Sequence, residues 1–354
     1  MRKVDVAVLG ATGMIGQRFI QLLEEHPYFE IGGLYASERS EGKKLCDVLK
    51  LKDHTFKEET LNMVIGQISP KMISKECDLA FGGLPSDIAK EYESSLAAAG
   101  VPVFSNAASH RMRADVPILV PEVNTPHLDI IHVQDTYRDG GYIVTNPNCS
   151  ATGLAIPLRP LNDTYGLDMV VVTTFQAVSG AGYPGVPSLD ILGNVIPYIK
   201  NEEEKIEAEM LKMLGRLKGK CIAPADFTML ANCARVPVVD GHLESVTMTL
   251  REEPSLEDLE NCLSGFRAEP QRLRLPIAPR VPIIVRHEEN RPQPLMDANA
   301  GQPERAKGMA VTVGRLRKAG KFYKMFILSH NTIRGGAGGS VLNAELAYVK
   351  RLLK

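Results

Sequence analysis

The sequence predicts an α/β protein of two domains: a doubly wound parallel sheet, then an α+β domain with a mainly antiparallel sheet. Three observations carry this. Apolar strands alternate with helical stretches over residues 4–145. A glycine-rich turn, Gly10-Ala11-Thr12-Gly13-Met14-Ile15-Gly16, joins the first strand to the first helix. Beyond Cys149 the texture changes to β-branched strands separated by long crossovers, the mark of a different layer architecture.

The elements follow in order. Val4–Leu9 is a continuous apolar run with one charge, the pattern of a strand buried on both faces. Residues 17–25 continue from the glycine turn at helical period. Further strands are predicted at 31–36, 78–82, 101–104 and 142–145. A helix is predicted over 86–99, with Ser86 as its N-cap and Gly100 as its stop. After the turn Asn146-Pro147-Asn148 comes a helix over 151–165, then a strand at 169–176. A charged amphipathic helix is predicted over 201–218. Strands follow at 232–236, 243–250, 309–316 and 322–328, with a helix over 255–266 between them. Residues 267–302 are rich in Pro and Arg and read as an extended surface connection or a subunit contact, with an apolar run at 281–285. A closing helix is predicted over 335–354. The expected division is 1–148, joined by 335–354, as a nucleotide-binding domain and 149–334 as a catalytic and dimerisation domain.

Composition narrows the function. The chain has 354 residues, 41 Lys plus Arg and 42 Asp plus Glu. A balance so near zero points to neither nucleic acid nor an anionic membrane. No apolar run approaches the ~20 residues of a membrane helix. The opening run enters a strand at once and carries no cleavable apolar core, so a cytoplasmic location is expected. Six cysteines form no C-x-x-C pair and eight histidines no metal-ligand spacing, so no metal site is expected. Five of the cysteines read as buried apolar fillers.

Cys149 is the exception. It stands in Thr145-Asn146-Pro147-Asn148-Cys149-Ser150-Ala151-Thr152-Gly153, after a turn and at the start of a helix. The positive end of a helix dipole favours thiolate. Backbone N–H groups at the same helix start can hold an oxyanion on an attacked carbon. The glycine turn, with Gly10, Gly13 and Gly16, suits close approach of a dinucleotide diphosphate to a helix N-terminus. At the end of the second strand, where an NAD enzyme usually carries an acid, stand Ser37, Arg39 and Ser40. Hydroxyls and a guanidinium suit a 2′-phosphate, which favours NADP. Thiolate and nicotinamide together imply oxidation of an aldehyde through a thioester, or the reverse. Gln176, Arg235 and His242 sit at predicted strand ends, and spacing alone assigns none of them a role.

The chain resembles the aspartate-β-semialdehyde dehydrogenase family, in its archaeal and fungal branch. The resembling motifs include Ala36-Ser37-Glu38-Arg39-Ser40, Gly83-Leu84-Pro85-Ser86-Asp87, Ser105-Asn106-Ala107-Ala108-Ser109-His110-Arg111-Met112, Asn146-Pro147-Asn148-Cys149, Gln176-Ala177-Val178-Ser179-Gly180-Ala181-Gly182, Arg291-Pro292-Gln293-Pro294 and Ser329-His330-Asn331-Thr332. The run from Arg235 to His242 belongs with them. The resemblance implies a Rossmann-type first domain. It implies Cys149 as acyl-forming nucleophile, His242 as acid/base and Gln176 as the residue that orients the thioester. Arg235 would bind the substrate α-carboxylate and Glu209 its ammonium group. Arg111 and Lys212 would bind phosphate, with Asn106 also at the substrate. Gly10, Thr12, Gly13, Met14, Ile15, Ser37, Arg39, Ser40, Ser86, Ser179, Gly180 and Asn331 would contact NADP.

On the helix carrying Glu209 and Lys212, Glu202 and Lys205 repeat the same spacing. Either pair can face the substrate, and all four can be a solvated charged face. The implied reaction turns 4-phospho-L-aspartate into L-aspartate 4-semialdehyde, toward lysine, threonine and methionine, in a homodimer or homotetramer. One rival is a malonyl-CoA or succinyl-CoA reductase, whose substrate lacks the ammonium group that Glu209 would bind. Another is a non-catalytic dinucleotide-binding sensor, which has no reason to carry Cys149, His242 and Gln176 together.

Overall fold

A computed structural model describes residues 2–353; Met1 and Lys354, the outer ends of the expected first domain, lie outside the described residues. The chain forms two compact units. One takes in the chain up to Leu119, Pro126–Asn146 and everything from Gly336; the other takes in Val120–Thr125 and Pro147–Gly335.

The first unit is built on six strands: β1 (Val4–Leu9), β2 (Phe29–Ala36), β3 (Ile65–Gln67), β4 (Leu79–Gly82), β5 (Val103–Ser105) and β6 (Ile143–Thr145). They form one sheet in the order β3-β2-β1-β4-β5-β6, parallel throughout. The order reverses between β1 and β4, so the C-terminal end of β1 is a topological switch point, where open α/β sheets bind ligands. The glycine turn leaves the sheet there. β1 and β4 are apolar because both of their faces are covered: Val6, Val8, Leu79 and Phe81 are fully buried. β3 escaped the sequence reading because three residues with Gly66 at the centre show no periodicity.

Two helix starts differ from expectation. The first helix is Met14–Leu23, beginning directly after Gly13. The next long helix is Ser86–Ala98, with Pro85 rather than Ser86 in the capping position. The Ser86 hydroxyl instead accepts the N–H of Ala108 at 3.1 Å, tying the helix start to the loop after β5. The last helix, Gly338–Val349, is buried along nearly its whole length in this unit. Glu345 on it pairs with His26 at 2.8 Å, both fully buried.

The second unit holds β7 (Leu167–Gln176), a small hairpin of β8 (Arg216–Lys218) and β9 (Cys221–Ala223), then β10 (Thr228–Arg235), β11 (His242–Leu250), β12 (Ile283–Arg286), β13 (Val311–Ala319) and β14 (Phe322–Ser329). The main sheet runs β10-β7-β11-β14-β13-β12. Its three inner pairs are antiparallel and its two outer pairs parallel. The helix Cys149–Tyr165 packs on β11 and β14, and Glu202–Met213 packs on β10. Alternate residues of the central strands, Val170, Val172, Val246 and Ile327, are buried. Their neighbours Met169, Val171, Phe175, Leu243 and Phe326 stay half-exposed on the opposite face.

The charged helix expected over 201–218 ends at Met213. A Cβ on Gly215 would lie 2.3 Å from the Ala223 carbonyl, so the chain must close against β9 there and turn into β8. Val120–Thr125 clusters with this unit because Glu122 forms a buried two-pronged ion pair with Arg334, at 3.0 and 2.5 Å. Among the described residues, no helix is long and apolar enough to cross a membrane.

Candidate active site

Cys149 is the first residue of the helix Cys149–Tyr165, half-buried, with Asn148 as N-cap. The Asn148 side-chain oxygen accepts the N–H groups of Ser150 at 2.9 Å and Ala151 at 3.2 Å. The capping residue itself is a neutral amide, not a carboxylate, and it leaves Cys149 at the positive end of the helix.

Two glutamates hold this cap. Glu209 accepts the Asn148 N–H at 2.6 Å, and Glu202 accepts the Asn148 amide nitrogen at 2.8 Å. They are seven residues apart, two helical turns, so one face of Glu202–Met213 presents both to Asn148. Both are buried, at 8% and 2% exposure, so the solvated charged face is ruled out for this pair. Glu203 and Glu207 turn to β10 and accept the N–H groups of Cys233 at 2.9 Å and Ala231 at 3.0 Å. Lys205 and Lys212 are half-buried on the same helix.

Three adjacent strand ends supply the rest. Arg235 closes β10 and is the register partner of Gln176, which closes β7. His242 opens β11, the antiparallel neighbour of β7. The Nε2 of His242 lies 3.2 Å from the Cys149 Sγ. Its Nδ1 accepts the N–H of Ala177 at 3.1 Å. A ring nitrogen that accepts carries no proton, so the neutral imidazole keeps its hydrogen on Nε2, facing sulfur. Burial pushes the His242 pKa down to about 3, helped by the charge of Arg235 and by His330. Arg235 is itself 7% exposed, and its Nη1 donates to the Ala177 carbonyl at 2.7 Å. Burial lowers its pKa, the charge of Cys149 opposing this. A buried guanidinium held, among the described residues, only by a backbone carbonyl suits an anionic partner.

Gly180 shapes the space in front of these groups. A Cβ there would sit 3.0 Å from the Arg235 guanidinium and 3.2 Å from the His242 ring. Beside it, Asn331 donates to the Ser179 hydroxyl at 2.8 Å and accepts the N–H of Gly241 at 2.9 Å. Behind Cys149 stands Gly335, where a Cβ would meet the Cys149 Cα and Cβ at 2.8 Å. The second unit thus gathers Cys149, His242, Arg235, Gln176, Ser179, Gly180 and Asn331. Gln176 is buried, with its amide nitrogen 3.3 Å from the Thr174 hydroxyl.

The remaining sequence-predicted residues belong to the first unit. Gly10 has φ +77, and a Cβ on it would lie 2.6 Å from the Gly83 carbonyl. A Cβ on Gly16 would lie 2.1 Å from the Gly10 carbonyl. Only glycine allows this turn. The helix that follows has no side-chain cap and no acid in its first turn. A glycine-walled turn leading to an uncapped helix start fits a dinucleotide diphosphate, to be held by Gly10, Thr12, Gly13, Met14 and Ile15. Ser37 and Arg39 are exposed and Ser40 half-exposed past the end of β2, with no acid at position 37, which fits a 2′-phosphate. After β5, Arg111 donates to the Asn106 carbonyl at 2.8 Å, and the Asn106 amide reaches the Ser340 hydroxyl at 3.1 Å.

Sequence reasoning missed the support around the nucleophile. Glu244, two residues beyond His242 on β11, is fully buried, and neither carboxylate oxygen makes a well-formed hydrogen bond. Burial holds its carboxyl well above the usual range, and the nearby Ser150 hydroxyl offsets only part of that. The Ser150 and Ser329 hydroxyls are likewise buried and unsatisfied. The one signal was Gly153: a Cβ there would lie 2.3 Å from the Ser329 hydroxyl and 4.0 Å from Glu244.

Residues 5–131 match the family described as semialdehyde dehydrogenase, NAD binding domain, and residues 158–334 match semialdehyde dehydrogenase, dimerisation domain. The chain is 48% identical to the aspartate-semialdehyde dehydrogenase of Methanothermobacter thermautotrophicus, over 97% of this chain and 98% of the relative. It is 47% identical to that of Archaeoglobus fulgidus, over 99% and 100%. Among solved structures, aspartate semialdehyde dehydrogenase with NADP from Candida albicans superposes with a TM-score of 0.89 at 39% identity, covering 99% of this chain and 100% of that one.

Proposed function

This chain belongs to the aspartate-semialdehyde dehydrogenase family, and from that premise we propose that it converts 4-phospho-L-aspartate to L-aspartate 4-semialdehyde with NADPH, releasing phosphate. The product feeds the synthesis of lysine, threonine and methionine. The observation that carries this reading is the 3.2 Å approach of His242 to Cys149 at the first residue of a capped helix.

The Cys149 thiolate attacks the acyl carbon. A carbon–sulfur bond forms, the carbon–oxygen bond to phosphate breaks, and phosphate leaves a thioester on Cys149. The helix start stabilises both the anionic sulfur and the oxyanion of the addition step. Bound NADPH supplies the hydride that brings the thioester to the aldehyde level. His242 holds its proton on Nε2, where it can hydrogen-bond the developing oxyanion and then the sulfur that departs as thiolate. Arg235 takes the α-carboxylate in its fork, and its buried charge supports that role. Gln176 orients the thioester. Glu209 is the partner of the ammonium group while keeping its hold on Asn148. Arg111 and Lys212 receive the phosphate, and Asn106 contacts the substrate. Gly10, Thr12, Gly13, Met14, Ile15, Ser37, Arg39, Ser40 and Ser86 hold NADP with Ser179, Gly180 and Asn331.

Residues 1–148 with 335–354 serve as the NADP-binding domain and 149–334 as the catalytic and dimerisation domain. The half-exposed apolar face of the second sheet, with Met169, Val171, Phe175, Leu243 and Phe326, supports a homodimer or homotetramer. A biosynthetic enzyme working with NADPH fits the cytoplasm. The test follows absorbance of NADPH. Aspartate semialdehyde with phosphate and NADP should generate it, whereas malonyl-CoA and succinyl-CoA should leave NADPH unoxidised. Turnover of a CoA thioester in place of the semialdehyde would overturn the assignment.

A further inference from the structure

The Pro- and Arg-rich stretch after the helix Leu256–Ser264 folds around a cavity of about 660 Å³, within the usual range for small-molecule sites. Its rim carries four arginines: Arg267, Arg272, Arg274 and Arg280. All four are exposed. None pairs with a carboxylate among the described residues. Arg267 donates only to the backbone carbonyls of Ser264 and Phe266.

Several other arginines of the chain are held by acids. Arg18, Arg113, Arg159, Arg291 and Arg334 each meet a carboxylate. Acids outnumber bases by one in the whole chain, 42 against 41, so the cluster is not a by-product of a basic composition. Gathering four like charges around one concavity is unfavourable unless an anion offsets them. Arg274 adds a second mark. It holds φ +52 at the end of the short helix Glu269–Leu273, a position that favours glycine or asparagine. The backbone accepts strain there while presenting a guanidinium to the cavity.

The floor is apolar. Leu275 and Ala278 are buried, at 3% and 6% exposure, beneath the charged rim. We propose that this cavity binds an organic polyphosphate, its anionic groups gripped by the arginine forks and its body resting on Leu275 and Ala278. Planar forks match phosphate oxygens two at a time, which a surface lysine cluster does not do. The wall also reaches inward. Gln271 donates to the Pro279 carbonyl at 3.2 Å and toward Glu122 at 3.4 Å. Glu122 is the buried partner of Arg334, and the next residue, Gly335, backs Cys149.

The probe is inorganic tripolyphosphate, titrated calorimetrically into the whole enzyme with NADP and phosphate held at saturation to fill the catalytic sites. One equivalent per chain should bind, more weakly as salt rises. The double variant Arg272→Ala/Arg274→Ala should lose about 100-fold in affinity, one charge-assisted contact per arginine. Arg216→Ala/Lys218→Ala removes two charges from the exposed hairpin and should bind as the parent does. Thermal melts without probe check that both variants fold. Two results would overturn the proposal: no binding by the parent enzyme, or equal losses in the two double variants.

Discussion

His242 faces Cys149 with the ring nitrogen that carries its proton, because the opposite nitrogen already accepts the N–H of Ala177. To take a proton from the thiol, the imidazole would have to carry hydrogen on Nδ1, where it would face the N–H of Ala177. The arrangement therefore favours a histidine that donates to sulfur and oxyanion.

The first prediction concerns the nucleophile. Cys149→Ser should abolish semialdehyde oxidation, because a hydroxyl at this helix start is not ionised as a thiol can be. NADP binding, followed by fluorescence titration, should persist. Substantial turnover by the serine variant would exclude the thioester route.

The second concerns pH. With its pKa held near 3, His242 stays neutral in the folded enzyme across the physiological range. Activity should show no acid limb near 6.5. The unfolded chain protonates this histidine below about 6.5 and the folded chain does not. Stability is therefore lost as pH falls from 6.5 toward 3. His242→Gln should remove that part of the acid sensitivity in denaturant titrations, while His242→Ala should lose more activity than His242→Gln.

The third concerns Glu93 in the first unit, fully buried and hydrogen-bonded by the Ser105 hydroxyl at 2.9 Å. Burial raises its pKa from 4.5 to about 7, partly offset by that hydroxyl and by Arg111. The folded state holds the proton more tightly than the unfolded one. Its stabilisation is complete below about 4.5 and falls away as pH rises to about 7, by on the order of 3 kcal/mol. Glu93→Gln should flatten this decline and be more stable than the parent at pH 8. An unchanged pH–stability curve would show that Glu93 ionises normally.

The fourth separates the two glutamates on Asn148. Glu202→Gln should lower the melting temperature and leave the KM for aspartate semialdehyde nearly unchanged. Glu209→Gln keeps an acceptor for the Asn148 N–H but loses the charge that would pair with the substrate ammonium, so KM should rise. If kinetics follow Glu202 instead, the two roles are exchanged.

The fifth concerns cofactor choice. Arg39→Ala should raise the KM for NADP roughly ten- to hundredfold, the loss of one or two charge-assisted hydrogen bonds. The KM for NAD should barely move. Equal effects on both would show that Arg39 does not reach the 2′-phosphate.

Much of this was legible in the sequence for reasons that lie in local physics. The run of β1, the glycine turn and the helix after it are set by apolar patterning and by glycines that only a tight turn requires. Cys149 stood out because its turn and helix are adjacent in sequence. The partners of Asn148 were not legible in the same way. Glu202 and Glu209 look identical to any charged helix face, and only packing on the cap tells them from Glu204. Glu244 was invisible because a carboxylate in an alternating strand reads as solvent-facing, and the strand's inward side was settled by pairing with β7 and β14. Ser86 was misread because a serine before a helix is usually its cap, and here a loop N–H claims the hydroxyl.

The carboxylates of Glu203 and Glu207 occupy the N–H groups of β10, the outer strand of the second sheet. An uncovered edge of this kind invites a further strand from another molecule. Here a helix blocks that addition, its two half-exposed carboxylates already holding the N–H groups of Ala231 and Cys233 that an incoming backbone would need. The helix Glu202–Met213 thus does two jobs with different residues: one pair of acids steadies the turn before Cys149, and the other closes a sheet edge to foreign strands.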